Sequence, residues 1–166
     1  MDRIDFESSA VGEKAPLRLW LRLFATTSVI ATEITARLRK RFNISLAQFD
    51  YLAQLYRSGD ADVAMSELSR RLMVTGGNVT GLTDRLERRG WVVRERAAHD
   101  RRTQYVRLTP EGRARFEAIA AEHWHWVQEL TGGLDPEARR ELFLLLGQLK
   151  QSARRASARQ AREAAA

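Results

Sequence analysis

A chain of 166 residues, 44% hydrophobic and 30% charged, has enough apolar material for one compact domain with extensions. It contains no cysteine, which excludes disulfides, thiolate catalysis and thiol-based redox sensing, and it has no run of ~18 apolar residues of the kind that crosses a bilayer. The formal net charge of +7 favours an anionic partner, either nucleic acid or a membrane surface, and the placement of the arginines must decide between them.

Residues 1–16 mix acids with bases and lack an apolar h-region, so they are expected to form a flexible leader rather than a signal peptide, with the cytoplasm as the expected compartment. From Leu17 to about Arg41 the residues Leu17, Trp20, Leu21, Phe24, Ile30, Ile34 and Leu38 recur at three- and four-residue steps. That spacing predicts a long amphipathic helix, long enough to need an extended surface such as a partner chain. Asn43 breaks it. Ser45, with Gln48 three residues on, opens a second helix through a capping box; Leu46, Phe49, Leu52, Ala53 and Tyr56 are its expected buried face, and Ser58-Gly59-Asp60 its end.

Ser66 begins a short third helix with Met65, Leu68 and Leu72 as its apolar residues. Thr75 is the expected cap of a fourth, in which Val79, Leu82 and Leu86 face inward and Gly90 terminates. Two short helices separated only by Met73-Val74 predict a helix-turn-helix. The period then changes. Trp91-Val92-Val93 and Tyr105-Val106-Arg107-Leu108 predict two strands joined by a charged hairpin tip. Thr109 and Pro110 open a fifth helix with a stripe of Phe116, Ile119, Ala120, His123, Val127 and Leu130; Gly132-Gly133 breaks it. Asp135-Pro136 opens a sixth, whose apolar face is Leu142, Leu145, Leu146 and Leu149, and an Ala/Arg-rich tail over 151–166 either continues it or frays.

The second helix of a helix-turn-helix enters the major groove of duplex DNA, and its outward side chains reach base edges. Here those outward residues are Thr75, Gly76, Gly77, Asn78, Thr80, Thr83 and Arg85, with Ser66 on the preceding helix. Glycine costs about 1 kcal/mol against alanine inside a helix, so Gly76, Gly77 and Gly81 together suggest close approach to another surface. The hairpin supplies Arg94, Arg96, Arg101 and Arg102, with Asp100 among them, as a basic ribbon suited to a minor groove. No motif for catalysis is present, and no cofactor is expected. His123 and His125 lie two apart on a helix and point in different directions, so no metal site is expected either.

The segments Met65–Leu72, Thr75–Gly90 and Asp100-Arg101-Arg102, followed by Val106-Arg107-Leu108-Thr109-Pro110-Glu111-Gly112, resemble the multiple-antibiotic-resistance regulator (MarR) family. The last of these matches that family's wing pattern, D-x-R with L-T-x-x-G downstream. The resemblance runs from about Leu17 to Lys150. It implies a mainly α fold: a winged helix-turn-helix at about 45–109 with a two-stranded β wing, flanked by long N- and C-terminal dimerisation helices at about 17–41 and 110–150. It further implies a homodimer on a pseudo-palindromic double-stranded operator, with Asp100 orienting Arg102 toward the minor groove. Many such regulators are repressors that leave DNA on binding an anionic aromatic ligand.

The opening of the first helix, Pro16 to Leu23, is similar to regulators of aromatic-acid catabolism, some of them responsive to hydroxycinnamoyl-CoA thioesters. On that reading Trp20, Phe24, Phe49 and Tyr56 would line an effector pocket, with Arg18 or Arg22 pairing with the anion. The bland alternative is that these aromatics fill a core or an interface. Three functions therefore compete: a ligand-responsive repressor, a ligand-independent regulator or architectural DNA protein, and, without motif support, an enzyme.

Overall fold

The computed structural model describes residues 12–72, 79–96 and 103–164. In chain order the elements are α1 (Ala15–Phe42), α2 (Leu46–Arg57), β1 (Val63–Ala64), α3 (Met65–Arg71), α4 (Val79–Glu87), β2 (Val92–Arg96), β3 (Gln104–Leu108), α5 (Pro110–Thr131) and α6 (Pro136–Ala164). Contacts divide the chain into two units, Met1–Trp126 and Val127–Ala166.

Local signals set the helix ends of the first unit. Asn43 adopts the left-handed conformation (φ 53°); its N–H donates to the Arg39 carbonyl and the Ile44 N–H to the Leu38 carbonyl, closing α1. Two residues later Ser45 Oγ accepts the Gln48 amide while Gln48 Oε1 accepts the Ser45 amide, a reciprocal cap on α2. Gly90 ends the α4 turn at φ 72°, with Trp91 N–H donating back to the Leu86 carbonyl.

Helix α2 is the centre of this unit. It packs on α1, α3, α4 and β3, so burial extends well beyond the expected face. Tyr51, Leu52 and Leu55 are enclosed, and so are the polar Gln48, Asp50 and Gln54, while Phe49 and Tyr56 stay half-buried. Gln54 Nε2 donates to Asp50 Oδ1 at 3.0 Å, one turn apart. The remaining core comes from Leu38, Ile44, Leu68, Leu82, Leu86, Val106 and Ile119.

The sheet has three strands rather than the expected two. The order is β1-β3-β2, all antiparallel, with Val63 opposite Val106 and Val92 opposite Leu108. β1 is only two residues long and lies directly before α3. It ties the start of the helix-turn-helix to the wing, and Arg107 reinforces the tie by bridging Glu95 at 2.8 Å and Asp62 at 3.6 Å.

The Leu108–Gly112 segment closes the unit. Thr109 Oγ1 donates to the Gly90 carbonyl at 2.6 Å and accepts the Gly112 amide at 2.9 Å, and the Thr109 amide donates to the Trp91 carbonyl at 3.0 Å. The first turn of α5 therefore lies on the backbone that leaves α4. A Cβ at position 112 would fall 1.8 Å from the Trp91 carbonyl oxygen and 2.6 Å from its carbon. The glycine of the L-T-x-x-G pattern is thus required by contact between two backbones.

Helix α1 buries only Ile34 and Leu38, near its C-terminus, and leaves Leu17, Leu19, Trp20, Phe24 and Val29 exposed. In the second unit Asp135 caps α6, its Oδ1 accepting the Ala138 amide at 2.8 Å. The Ala/Arg tail continues the helix to Ala164, and no residue of α6 is buried.

Because both neighbours at position 112 are backbone, Gly112→Ala cannot be absorbed by a rotamer change. We expect it to cost at least ~1–3 kcal/mol, the usual penalty for overpacking. Thermal unfolding beside wild type measures this; an unchanged midpoint would contradict the contact.

Candidate nucleic-acid interface

Helices α3 and α4 pack on each other and both pack on α2. Within α4, Leu82, Thr83 and Leu86 point inward, leaving Thr80 and Arg85 on the outer face, with Arg88 exposed in the turn that follows. Ser66 is exposed on α3, and Arg96 is exposed at the end of β2. Thr75, Gly76, Gly77 and Asn78 lie outside the described residues, as do Asp100, Arg101 and Arg102 of the hairpin tip.

Two of the expected DNA contacts are corrected. Thr83 has no solvent exposure and belongs to a buried relay. Its hydroxyl donates to the Val79 carbonyl at 2.8 Å, so its oxygen accepts from Tyr51, whose hydroxyl lies 2.6 Å away. The relay fixes the rotation of α4 about its own axis, since Thr83 faces α2 only in one setting. Spacing puts Thr83 on the same face as Val79, Leu82 and Leu86; its polar hydroxyl argues for the outer face, and the buried tyrosine on α2 supplies the partner that lets it face inward.

Arg94 is the second correction. Its Nη2 donates to Asp84 Oδ1 and Glu87 Oε2, both at 2.8 Å. The guanidinium ties β2 to α4 instead of projecting from the ribbon. Asp84 and Glu87 were not singled out in the sequence, although their three-residue spacing places both on one helix face, where a single cation can meet them. One arginine and two carboxylates thus add a polar tie between β2 and α4 to the backbone bond from Trp91 to Leu86.

The six residues expected around an effector divide into two groups. Trp20 and Phe24 stack on each other along α1, ring centroids 5.8 Å apart, and both are more than half exposed. Arg18 and Arg22 belong to the same stretch of that helix. Phe49 and Tyr56 instead pack on α5: Phe49 lies 5.7 Å from Phe116 and 4.4 Å from His123, and Tyr56 lies 4.8 Å from Phe116. The Tyr56 hydroxyl donates to Glu117 at 3.0 Å, and the Arg113 guanidinium lies 5.2 Å over its ring, within cation–π range. Among the described residues no ring contact joins the two groups. Burial against Phe49 pushes the His123 imidazole below its ordinary pKa, which favours the neutral ring.

The buried relay carries a pH signature. Desolvation pushes the Tyr51 phenol up to about 12, against a smaller opposing effect of the Thr83 hydrogen bond. A folded-state pKa above the unfolded value contributes stability that is complete below about pH 10 and is lost as the pH rises toward 12. The stability difference between wild type and Tyr51→Phe is therefore expected to change across that window in the direction of weakening wild type. Urea unfolding of both proteins at several pH values tests this, and parallel curves would contradict it.

The Arg94 strut makes a prediction of opposite sign to simple electrostatics. Asp84→Asn removes a negative charge beside a basic surface, which by charge alone would tighten binding to duplex DNA. If the strut sets the wing, the variant binds more weakly, by about fivefold, corresponding to the ~1 kcal/mol that an exposed pair can contribute. Tighter binding in a fluorescence-anisotropy titration would refute the strut.

Comparison with known proteins agrees with this geometry. A model described as MarR family matches residues 42–103. The HTH-type transcriptional regulator YkoM of Bacillus subtilis (strain 168) is 32% identical over 146 residues, spanning 88% of this chain and 92% of its own. A MarR family transcriptional regulator from Silicibacter pomeroyi superposes with a TM-score of 0.73 at 29% identity, covering 85% of this chain and 96% of that one. Sco3205, a MarR family regulator from Streptomyces coelicolor solved in complex with DNA, shares the fold with a TM-score of 0.73 at 22% identity, over 88% of this chain and 91% of its own. The chain belongs to the MarR family and is a DNA-binding, winged-helix transcriptional regulator, not an enzyme.

Proposed function

We propose that this regulator acts as a homodimer on a pseudo-palindromic operator, as a repressor released by a small anionic aromatic ligand or its CoA thioester. The observation that carries the DNA-reading part is the α3–α4 pair followed directly by the β2–β3 hairpin, with Thr80 and Arg85 on the outer face of α4 and Arg96 leading into the wing. In this reading α4 enters the major groove. Thr75, Gly76, Gly77, Asn78, Thr80 and Arg85 approach bases and phosphates, Ser66 meets the backbone, and Arg96, Arg101 and an Asp100-oriented Arg102 enter the adjacent minor groove.

Exposed apolar residues support the dimer. Soluble monomers rarely leave large contiguous apolar patches open to water. Here Leu17, Leu19 and Val29 are exposed on α1, and Leu142, Phe143, Leu145, Leu146 and Leu149 on α6. A second copy covering both helices would hide them, with dimerisation helices at about 17–41 and 110–150 bracketing a winged part at about 45–109.

The effector reading rests on the Trp20–Phe24 stack, a flat apolar surface beside Arg18 and Arg22. A planar acyl group would lie on the rings while an arginine meets its carboxylate or the phosphates of CoA. The packing of Phe49 and Tyr56 against α5 favours a second reading, regulation without a ligand, because those rings already have partners.

One experiment separates these readings. A duplex with half-site centres about 34 Å apart is titrated with wild type and Trp20→Ala, with and without hydroxycinnamates, benzoates and their CoA thioesters, and sedimentation confirms that the variant is still dimeric. Ligand is expected to weaken wild-type binding about 5- to 150-fold, and Trp20→Ala to bind DNA without responding. Equal affinity for operator and unrelated duplex would overturn specific regulation. If none of these ligands shifts the affinity, the ligand-independent reading replaces the aromatic-sensor one.

A further inference from the structure

Where α1 ends, α2 begins and α4 ends, a cleft of about 520 Å³ opens between them. Arg39, Asn43, Ser45, Arg85, Arg88 and Arg89 are in its wall, and no carboxylate lines it. Several arginines elsewhere in the fold are matched to acids (Arg94 to Asp84 and Glu87, Arg71 to Glu67, Arg107 to Glu95, Arg113 to Asp60), while others among the described residues, such as Arg57 and Arg154, stand singly on the surface rather than around a cleft. Among the described residues none of the four cleft arginines forms an ion pair. Their recorded partners are neutral. Arg88 donates to the Asp84 carbonyl at 3.2 Å, and Arg89 donates to the Asn43 carbonyl at 2.7 Å while lying 5.1 Å over the Trp91 ring.

Four like charges around one opening repel each other, and an anion bound in the opening offsets that repulsion. The start of α2 adds the positive end of its helix dipole to the same space. A carboxylate brings one charge and two oxygens, enough for a single guanidinium fork. A phosphoryl group brings up to two charges and three oxygens, and it matches the planar donor geometry of several arginines. The volume exceeds what the anion itself needs and leaves room for the body that carries it.

We propose that this cleft is a phosphoryl-binding site, occupied either by a backbone phosphate of bound duplex or by a free phosphorylated small molecule. It is separate from the Trp20–Phe24 surface, and it does not depend on the aromatic-effector reading. Its place at the C-terminal end of α4 puts it beside the DNA-reading helix, so that occupancy from either source bears on the same element.

The test compares the full-length chain with Arg39→Gln/Arg88→Gln and with a charge-matched control, Arg57→Gln/Arg154→Gln, whose exposed arginines lie outside the cleft. Circular dichroism confirms that all three are folded. Calorimetric titration with inorganic pyrophosphate at low salt is expected to show binding by wild type and the control, weakened about tenfold or more in the cleft variant, since charge-assisted hydrogen bonds are lost. In parallel, the salt dependence of binding to an unselected duplex is measured. A drop in slope of about 0.9 per lost contact in the cleft variant beyond the control assigns the site to the DNA backbone. Pyrophosphate binding with no such extra drop assigns it to a free phosphorylated ligand. If wild type does not bind pyrophosphate and the two variants have the same slope, or if the control loses as much pyrophosphate affinity as the cleft variant, the proposal is overturned. An unselected duplex keeps this outcome independent of whether a specific operator exists.

Discussion

The hydroxyl relay from Tyr51 through Thr83 to the Val79 carbonyl is the interaction on which the DNA-reading surface depends. Helix α4 is short and, as an isolated segment, would be marginal. Leu82 and Leu86 give it an apolar anchor, but apolar contact is non-directional and tolerates rotation. A buried hydroxyl pair does not. Turning the helix would leave two polar groups without partners in the core, at a cost of about 1–3 kcal/mol each. The relay therefore converts general burial into a defined orientation, and the exposure of Thr80 and Arg85 follows from it. Arg94 repeats the logic at the surface, joining the wing strand to the acids of the same helix.

The sheet and the start of α5 extend this frame. β1 leads straight into α3, and β3 lies between β1 and β2, so the two halves of the reading unit share one sheet. Thr109 and Gly112 then lock the exit from the wing onto the backbone after α4. A family sequence pattern that looks like a loose collection of letters turns out to be the description of one backbone crossing.

Features legible in the sequence were those with local causes. Asn43, the Ser45–Gln48 box, Gly90, Thr109–Pro110 and Asp135–Pro136 each mark a helix end through groups within a few residues, and each does so in the structure. What escaped was set by distant partners. β1 is too short to show a period, and exists because Val106 and Tyr105 lie opposite it. Thr83 shares the spacing of Val79, Leu82 and Leu86, but its hydroxyl reads as outward-facing until Tyr51 supplies a buried partner; Arg94 reads as a ribbon cation until Asp84 and Glu87 engage it. The cleft arginines come from α1 and α4, separated by more than forty positions in the numbering, and no short motif links them. Of the aromatic residues expected together, Phe49 and Tyr56 find their partners on α5, while Trp20 and Phe24 stack on each other on α1.

Helix α6 runs for 29 residues without burying one of them. Its backbone hydrogen bonds are internal, but its leucines stay about half exposed. In the proposed dimer the free energy of that helix becomes a property of the solution as well as of the molecule, because folding and association draw on the same apolar surface. The melting temperature would then rise with protein concentration instead of being fixed by sequence. At low protein concentration the folded, dimeric fraction would be governed by mass action, so the amount of protein made would itself be a control variable.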